Sequence, residues 1–122
     1  MVLIDSSSWI EALRDSGKAD IRKRVEGLLA AGDAAWCDPV RLELWNGARG
    51  QQERKMLAQL EKSIAVLPMD NSVWDMAIAL AKTARDAGLT VPAVDLMIVA
   101  CARRHAVELE HNDHHLIRLQ RL

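Results

Sequence analysis

Apolar residues along the chain fall into short unbroken runs that alternate with longer stretches repeating every three to four positions. Met1–Ile4 is a short β-rich run that stops at Asp5. Ser8 and Glu11 then have the spacing of a capping box, and Trp9, Ile10 and Leu13 continue a helix that Gly17 closes. Ile21, Val25, Leu28 and Leu29 predict a second helix over about 18–31, ended by Gly32. Ala34–Cys37 is too short for a helix and reads as a second strand. Asp38-Pro39 looks like an N-cap followed by proline at the first helical position. The helix it opens carries Val40, Leu42, Leu44, Trp45 and Ala48 on its apolar face and runs to Gly50.

A mostly polar helix follows over 52–62, and Ile64–Leu67 is a third apolar run cut off by Pro68. Asp70 begins a long helix over about 71–87, with Val73, Trp74, Ala77, Leu80, Ala81 and Ala84 inward and Gly88 beyond its end. Pro92 opens a helix whose body, Leu96–Ala102, is apolar all round and so should be buried on most sides. Val107–Leu109 is a fourth strand candidate, and 113–120 a last short helix. Strands alternating with helices imply βαβ units, a mostly parallel sheet and an α/β sandwich. Ligands of such sheets sit beyond the carboxyl ends of the strands, where the strand order switches. That places Asp5 and the segment His111-Asn112-Asp113 at the expected site.

Length and composition narrow the class. A chain of 122 residues has room for one domain. Half of it is apolar, no run approaches a membrane span, and Met1 leads directly into the first strand with no secretory signal. Cys37 and Cys101 are far apart and lack metal-binding spacing, which fits buried thiols in a reducing cytoplasm. Sixteen basic residues against 17 acidic give a net charge of −1, which argues against gripping nucleic acid by bulk positive charge.

Four carboxylates stand out by placement. Asp5, directly after the first strand, suits either an N-cap or a site residue. Glu43 flanks the apolar face of its helix, at roughly 300° when Val40 is set to 0°, with Gly47 leaving space one turn on. That position fits a boundary glutamate in solvent as well as a site group. Asp95 gives the strongest signal, because it lies in the first turn of the most apolar helix. A buried carboxylate there must be paired or have its pKa shifted. Asp113 follows the fourth strand and serves equally as a cap for the last helix. A parallel sheet brings Asp5 and Asp113 to one edge, where the start of the Asp95 helix can also end. Ionised acids about 4 Å apart repel by about 4 kcal/mol per pair at an effective dielectric near 20. A divalent cation relieves that repulsion, and an all-oxygen ligand set favours Mg²⁺ or Mn²⁺ over Zn²⁺.

These segments carry a family resemblance. Val2-Leu3-Ile4-Asp5-Ser6-Ser7 followed by Trp9-Ile10, Glu43 within Pro39–Leu44, Val94-Asp95 leading into Leu96–Ala102, and Asn112-Asp113-His114-His115 together resemble a PIN domain. More closely, they resemble the VapC-type toxins of bacterial toxin–antitoxin pairs. The resemblance spans essentially the whole chain and implies a three-layer α/β/α sandwich around a mostly parallel sheet. Family sheets have strand order 3-2-1-4-5. Here the chain stops at Leu122 before a fifth strand, leaving 3-2-1-4. The implied activity is that of an endoribonuclease dependent on Mg²⁺ (or Mn²⁺), with one or two ions. Asp5, Glu43, Asp95 and Asp113 would surround the metal, with Ser7 supporting Asp5. Implied partners are an RNA substrate, a VapB-type antitoxin and a second copy of the chain in a homodimer, in the cytoplasm and away from membranes. Products would carry a 5′-phosphate and a 3′-hydroxyl.

Two positions depart from the family pattern. Members commonly have Thr two residues before the fourth acid and Phe three residues after it, and here these are His111 and Leu116. The rival reading is a catalytically silent PIN-like module that binds RNA or protein. A phosphatase with Asp5 as nucleophile would want a second acid two residues on, where Ser7 stands. His111, His114 and His115 lack matching zinc-ligand spacing and read as surface or RNA-contacting histidines. Arg14, Arg41, Arg49, Arg103 and Arg104 are candidate phosphate contacts. The four tryptophans read as core, with Trp45 the one to line a partner groove. Setting the four site carboxylates aside leaves 13 acidic against 16 basic groups, an acidic pocket in a mildly basic surface.

Overall fold

In the computed structural model, which describes residues 1–122, the first apolar run forms strand β1 over Val2–Ile4. Helices α1 (Ser6–Leu13) and α2 (Ala19–Ala30) follow, then strand β2 (Ala34–Trp36). Next come α3 (Asp38–Asn46), α4 (Gly50–Ser63) and the two-residue strand β3 (Ala65–Val66). The chain finishes with α5 (Asn71–Asp86), α6 (Ala93–Arg104), β4 (Glu108–Glu110) and α7 (His114–Gln120). The four strands are all parallel in the order β3-β2-β1-β4, the expected α/β/α arrangement with β1 inside the sheet. Leu3 pairs with Ala35 on one side and Leu109 on the other.

Burial explains why these short strands hold. Leu3, Ile4, Trp9, Trp36, Val40 and Ile98 are completely buried in one continuous apolar cluster. A smaller cluster joins Leu80, Ala84 and Val99 to Leu116 and Leu119 of α7. Each fully buried Leu, Ile or Val contributes roughly 1.5–3 kcal/mol relative to exposure. Helix α6 crosses both clusters, and Ile98–Ala102 is buried throughout, as its uniform apolarity requires.

Several details differ from the sequence reading. Helix α1 begins at Ser6 and is capped by Asp5, whose side chain accepts the Ser7 amide. The Ser8–Glu11 capping box does not form: Ser8 is buried inside the helix and donates to Glu110 at 2.9 Å, while Glu11 accepts the Lys18 amide. The helix ends at Leu13, ahead of Gly17. A Cβ on Gly17 would lie 1.8 Å from the Glu11 carbonyl oxygen, so glycine is needed there for close backbone approach. Cys37, not Asp38, occupies the cap position of α3. Strand β4 lies one residue later than expected, which aligns Glu110 with Ile4.

The buried arc of α3 is also narrower than its pattern implies. Val40 and Leu44 face the core, but Leu42 is 70% exposed and Trp45 39%. Trp74, expected inward, is 41% exposed, so only Trp9 and Trp36 are core tryptophans.

Candidate active site

The carboxyl end of β1 is joined to that of β4 by backbone, since the Asp5 amide donates to the Glu110 carbonyl at 2.9 Å. This puts Asp5 at the edge predicted for it, with only 3% of its surface exposed. Its Oδ2 accepts two hydrogen bonds, from the Ser7 amide at 3.1 Å and the Ser7 hydroxyl at 2.6 Å. The same hydroxyl accepts the Asn112 amide at 2.9 Å. Asp5 therefore caps α1, and its buried carboxylate lies near Glu43 and Asp95.

Glu43 reaches this edge from α3, and Ser6 Oγ donates to its Oε1 at 3.0 Å. Burial raises its pKa, the Ser6 hydrogen bond opposes that shift, and the charges of Asp5 and Asp113 add to it. Asp95, in the first turn of α6, is 8% exposed, and its Oδ2 is buried without a hydrogen-bond partner. Its pKa is pushed up to about 6, first by burial and then by the neighbouring charges of Asp113 and Asp5, with His115 pulling the other way. Asp113 caps α7, its Oδ1 accepting the His115 amide at 2.8 Å.

The structure thus gathers all four predicted acids within electrostatic reach of one another. Asp95 feels the charges of the other three, and Glu43 feels those of Asp5 and Asp113. The tightest grouping includes His115, which the sequence suggests as a surface or RNA-contacting histidine. Donor atoms of Asp95, Asp113 and His115 lie within 4.8 Å of one another. The signal for His115 was available in Asp113-His114-His115. When Asp113 caps the helix by accepting the His115 amide, the second histidine is anchored beside that carboxylate. A search for zinc-type His/Cys spacing does not see this.

An orphaned buried carboxylate oxygen beside a second carboxylate and an imidazole fits a divalent cation, which would satisfy all three donors. The residues at the two departures have local structural roles. His111 bonds Gln120 Oε1 at 2.8 Å and accepts the Asp113 amide at 3.3 Å, holding the turn. Leu116 is completely buried against the α5–α6 side and anchors α7.

The arginines are less free than expected. Arg14 pairs with Glu53, Arg41 with Asp38 and Glu61, and Arg104 with Asp70. Arg103 donates to the Leu119 and Gln120 carbonyls. Most of the candidate phosphate contacts therefore already have partners.

A parallel 3-2-1-4 sheet with carboxylates converging beyond the carboxyl ends of the adjacent strands β1 and β4 is the architecture of a PIN domain. Residues 2–122 match the PIN domain family, and the chain belongs to it. Within the family it is similar to VapC ribonucleases. It is 32% identical over 117 residues to VapC ribonuclease Mb1587 of Mycobacterium bovis, covering 93% of this chain and 87% of the relative. The same figures hold for Ribonuclease VapC11 of Mycobacterium tuberculosis. Solved structures of the same fold include VapBC2 from Rickettsia felis bound to a promoter DNA fragment. That match has a TM-score of 0.78 at 14% identity and covers 100% of this chain and 93% of that one. FitAcB from Neisseria gonorrhoeae matches with a TM-score of 0.75 at 19% identity, covering 98% and 94%. The sarcin-ricin loop cleaving toxin VapC20 of Mycobacterium tuberculosis matches with a TM-score of 0.70 at 20% identity, covering 97% and 94%.

Proposed function

We propose that this chain is a divalent-metal-dependent endoribonuclease, the toxin of a toxin–antitoxin pair, folded as a single PIN domain over residues 1–122. The observation that carries the reading is the buried, unpartnered Asp95 Oδ2 facing Asp113 among four convergent acids. The ribonuclease names of the relatives support it. Asp5, Glu43, Asp95 and Asp113 are the site residues, with Asp5 and Asp95 central because both are buried. The ion is Mg²⁺ or Mn²⁺, one or two per site. A bound divalent cation supplies a water of lowered pKa and neutralises charge on the scissile phosphate.

The chain's own residues set the geometry. The Ser7 amide and hydroxyl hold the Asp5 carboxylate in one orientation through Oδ2, which leaves its other oxygen for the pocket. Ser6 does the same for Glu43. Hydrolysis breaks the bond from phosphorus to the 3′-oxygen, leaving a 5′-phosphate and a 3′-hydroxyl. The net charge is −1 and most of the candidate arginines are paired, so the site itself carries much of the phosphate recognition.

Several structural neighbours are VapBC or FitAB assemblies, which supports a VapB-type antitoxin as partner. The protein works in the cytoplasm. A homodimer accounts for the apolar side chains left outside the core. Leu42 and Trp74 border an open groove of about 540 Å³ between α3, α5 and α6, and Ile78 is 56% exposed on α5.

Partner-free protein incubated with total RNA tests the activity. Cleavage in Mg²⁺ or Mn²⁺ that stops in EDTA and returns on adding the ion is expected, with 5′-phosphate ends on the fragments. Cleavage that persists in EDTA contradicts the metal-nuclease reading. Absence of cleavage with either ion favours a silent binding module.

A further inference from the structure

The geometry points to His115 as a nitrogen ligand of the cation at this site, giving a mixed nitrogen–oxygen centre that prefers Mn²⁺ to Mg²⁺. This inference rests on the metal-nuclease reading above and adds to it a ligand and an ion preference that an all-oxygen site would not have.

Three observations carry it. First, His115 Nδ1 lies 3.5 Å from Asp113 Oδ1 and 3.7 Å from Asp95 Oδ2. Both distances exceed those of an N–H···O hydrogen bond, about 2.7–3.2 Å. Neighbouring ligands at right angles on one ion stand roughly 2.8–3.1 Å apart for bonds of about 2.0–2.2 Å, so a side-chain movement of about half an ångström would bring these donors onto a cation. Second, Asp95 Oδ2 has no hydrogen-bond partner although it is buried and an imidazole faces it. A cation among the three donor atoms of Asp95, Asp113 and His115 would satisfy the orphaned oxygen and use the imidazole that faces it.

Third, the other histidines are turned elsewhere. His105 Nε2 bonds the Pro68 carbonyl at 2.8 Å, and His111 uses Nδ1 to accept the Asp113 amide and Nε2 to bond Gln120 Oε1. His114 lies outside the trio and stacks on His115, with ring centroids 4.2 Å apart. The Asp113 carboxylate fixes the His115 backbone at the same time. His115 is therefore held from two sides with one ring nitrogen toward the acids.

The ion preference follows from ligand chemistry. Mg²⁺ takes hard oxygen ligands and strongly retains water, so an imidazole adds little to its binding. First-row transition ions gain from a nitrogen donor, and Mn²⁺ also accepts the carboxylates that make up the rest of the site.

The test is metal binding, read without catalysis. Calorimetric titration of the purified chain with Mn²⁺ and with Mg²⁺ would be paired with electron spin-echo spectroscopy of bound Mn²⁺, which registers a coordinated histidine nitrogen. The wild type is expected to bind Mn²⁺ at least about tenfold more tightly than Mg²⁺. His115→Gln should weaken Mn²⁺ at least about tenfold, change Mg²⁺ less than about threefold and abolish the nitrogen signal. His114→Gln should keep the signal. His115→Ala, with circular dichroism on both substitutions, separates ligand loss from misfolding. Mn²⁺ binding with affinity and nitrogen signal unchanged in both His115 variants overturns the inference and leaves the metal-nuclease reading standing. Absence of saturable binding of either ion by the wild type overturns both.

Discussion

The Ser7 hydroxyl donates to Asp5 Oδ2 at 2.6 Å and accepts the Asn112 amide at 2.9 Å, bridging the ends of β1 and β4. A single oxygen thus orients a pocket carboxylate and ties it to the turn that carries Asp113. Ser7→Ala should lower stability by about 1 kcal/mol, the worth of an ordinary hydrogen bond. It should slow RNA cleavage by about 10–100-fold, as loss of a ligand-orienting partner does. Thermal melts and single-turnover cleavage check the two effects separately.

Asp95 gives a pH-dependent stability with a definite sign. Its folded pKa, about 6, lies above the ordinary value of 3.8 because burial and the Asp113 and Asp5 charges oppose ionisation. The folded state therefore holds this proton more tightly than the unfolded chain. The resulting stabilisation is fully present below about pH 4 and is lost as pH rises through 6. In EDTA, Asp95→Asn should be more stable than wild type by about 1–3 kcal/mol at pH 8, with the difference vanishing near pH 4. Urea unfolding across that range measures it.

Exposed apolar residues on α3 and α5 predict the oligomeric state. Leu42→Asp should convert the proposed homodimer to monomers. A substitution at a position 70% exposed should change monomer stability by no more than about 0.5 kcal/mol. Sedimentation velocity of wild type and variant reads this, and a wild-type monomer at all concentrations would rule the dimer out.

Cys37 and Cys101 are both completely buried free thiols. Hydrogen bonding to Cys101 and burial push the Cys37 thiol well above its usual range; the same hydrogen bond lowers Cys101, which complete burial nevertheless shields from reagents. A thiol reagent should titrate neither cysteine in the folded protein over minutes and both in denaturant.

Much of the fold was legible because period and punctuation agreed. The gaps around Asp70, Pro92 and Gly32 mark real helix ends, and each strand appears within a residue or two of its apolar run. Strand order came only from the family resemblance, since three-residue strands carry no pairing code. Periodicity failed at Leu42 and Trp74 because an apolar helix face reads the same whether it meets the core or stays open. The α1 start was misplaced because Asp5 and Ser8 are both good caps, and only the fold shows that Ser8 is needed by Glu110. The four acids were legible as a set. His115 was not, because its place depends on how Asp113 turns the chain.

The central proposal is that Asp5 and Asp95 hold the cation through which RNA is hydrolysed. Single-turnover cleavage of one RNA in Mn²⁺ by wild type, Asp5→Asn and Asp95→Asn, each checked for native circular dichroism, tests it most directly. The account predicts a loss of at least about a hundredfold in each folded variant, as for removal of a group that stabilises charge in the transition state. Cleavage by either folded variant within about threefold of wild type would contradict it.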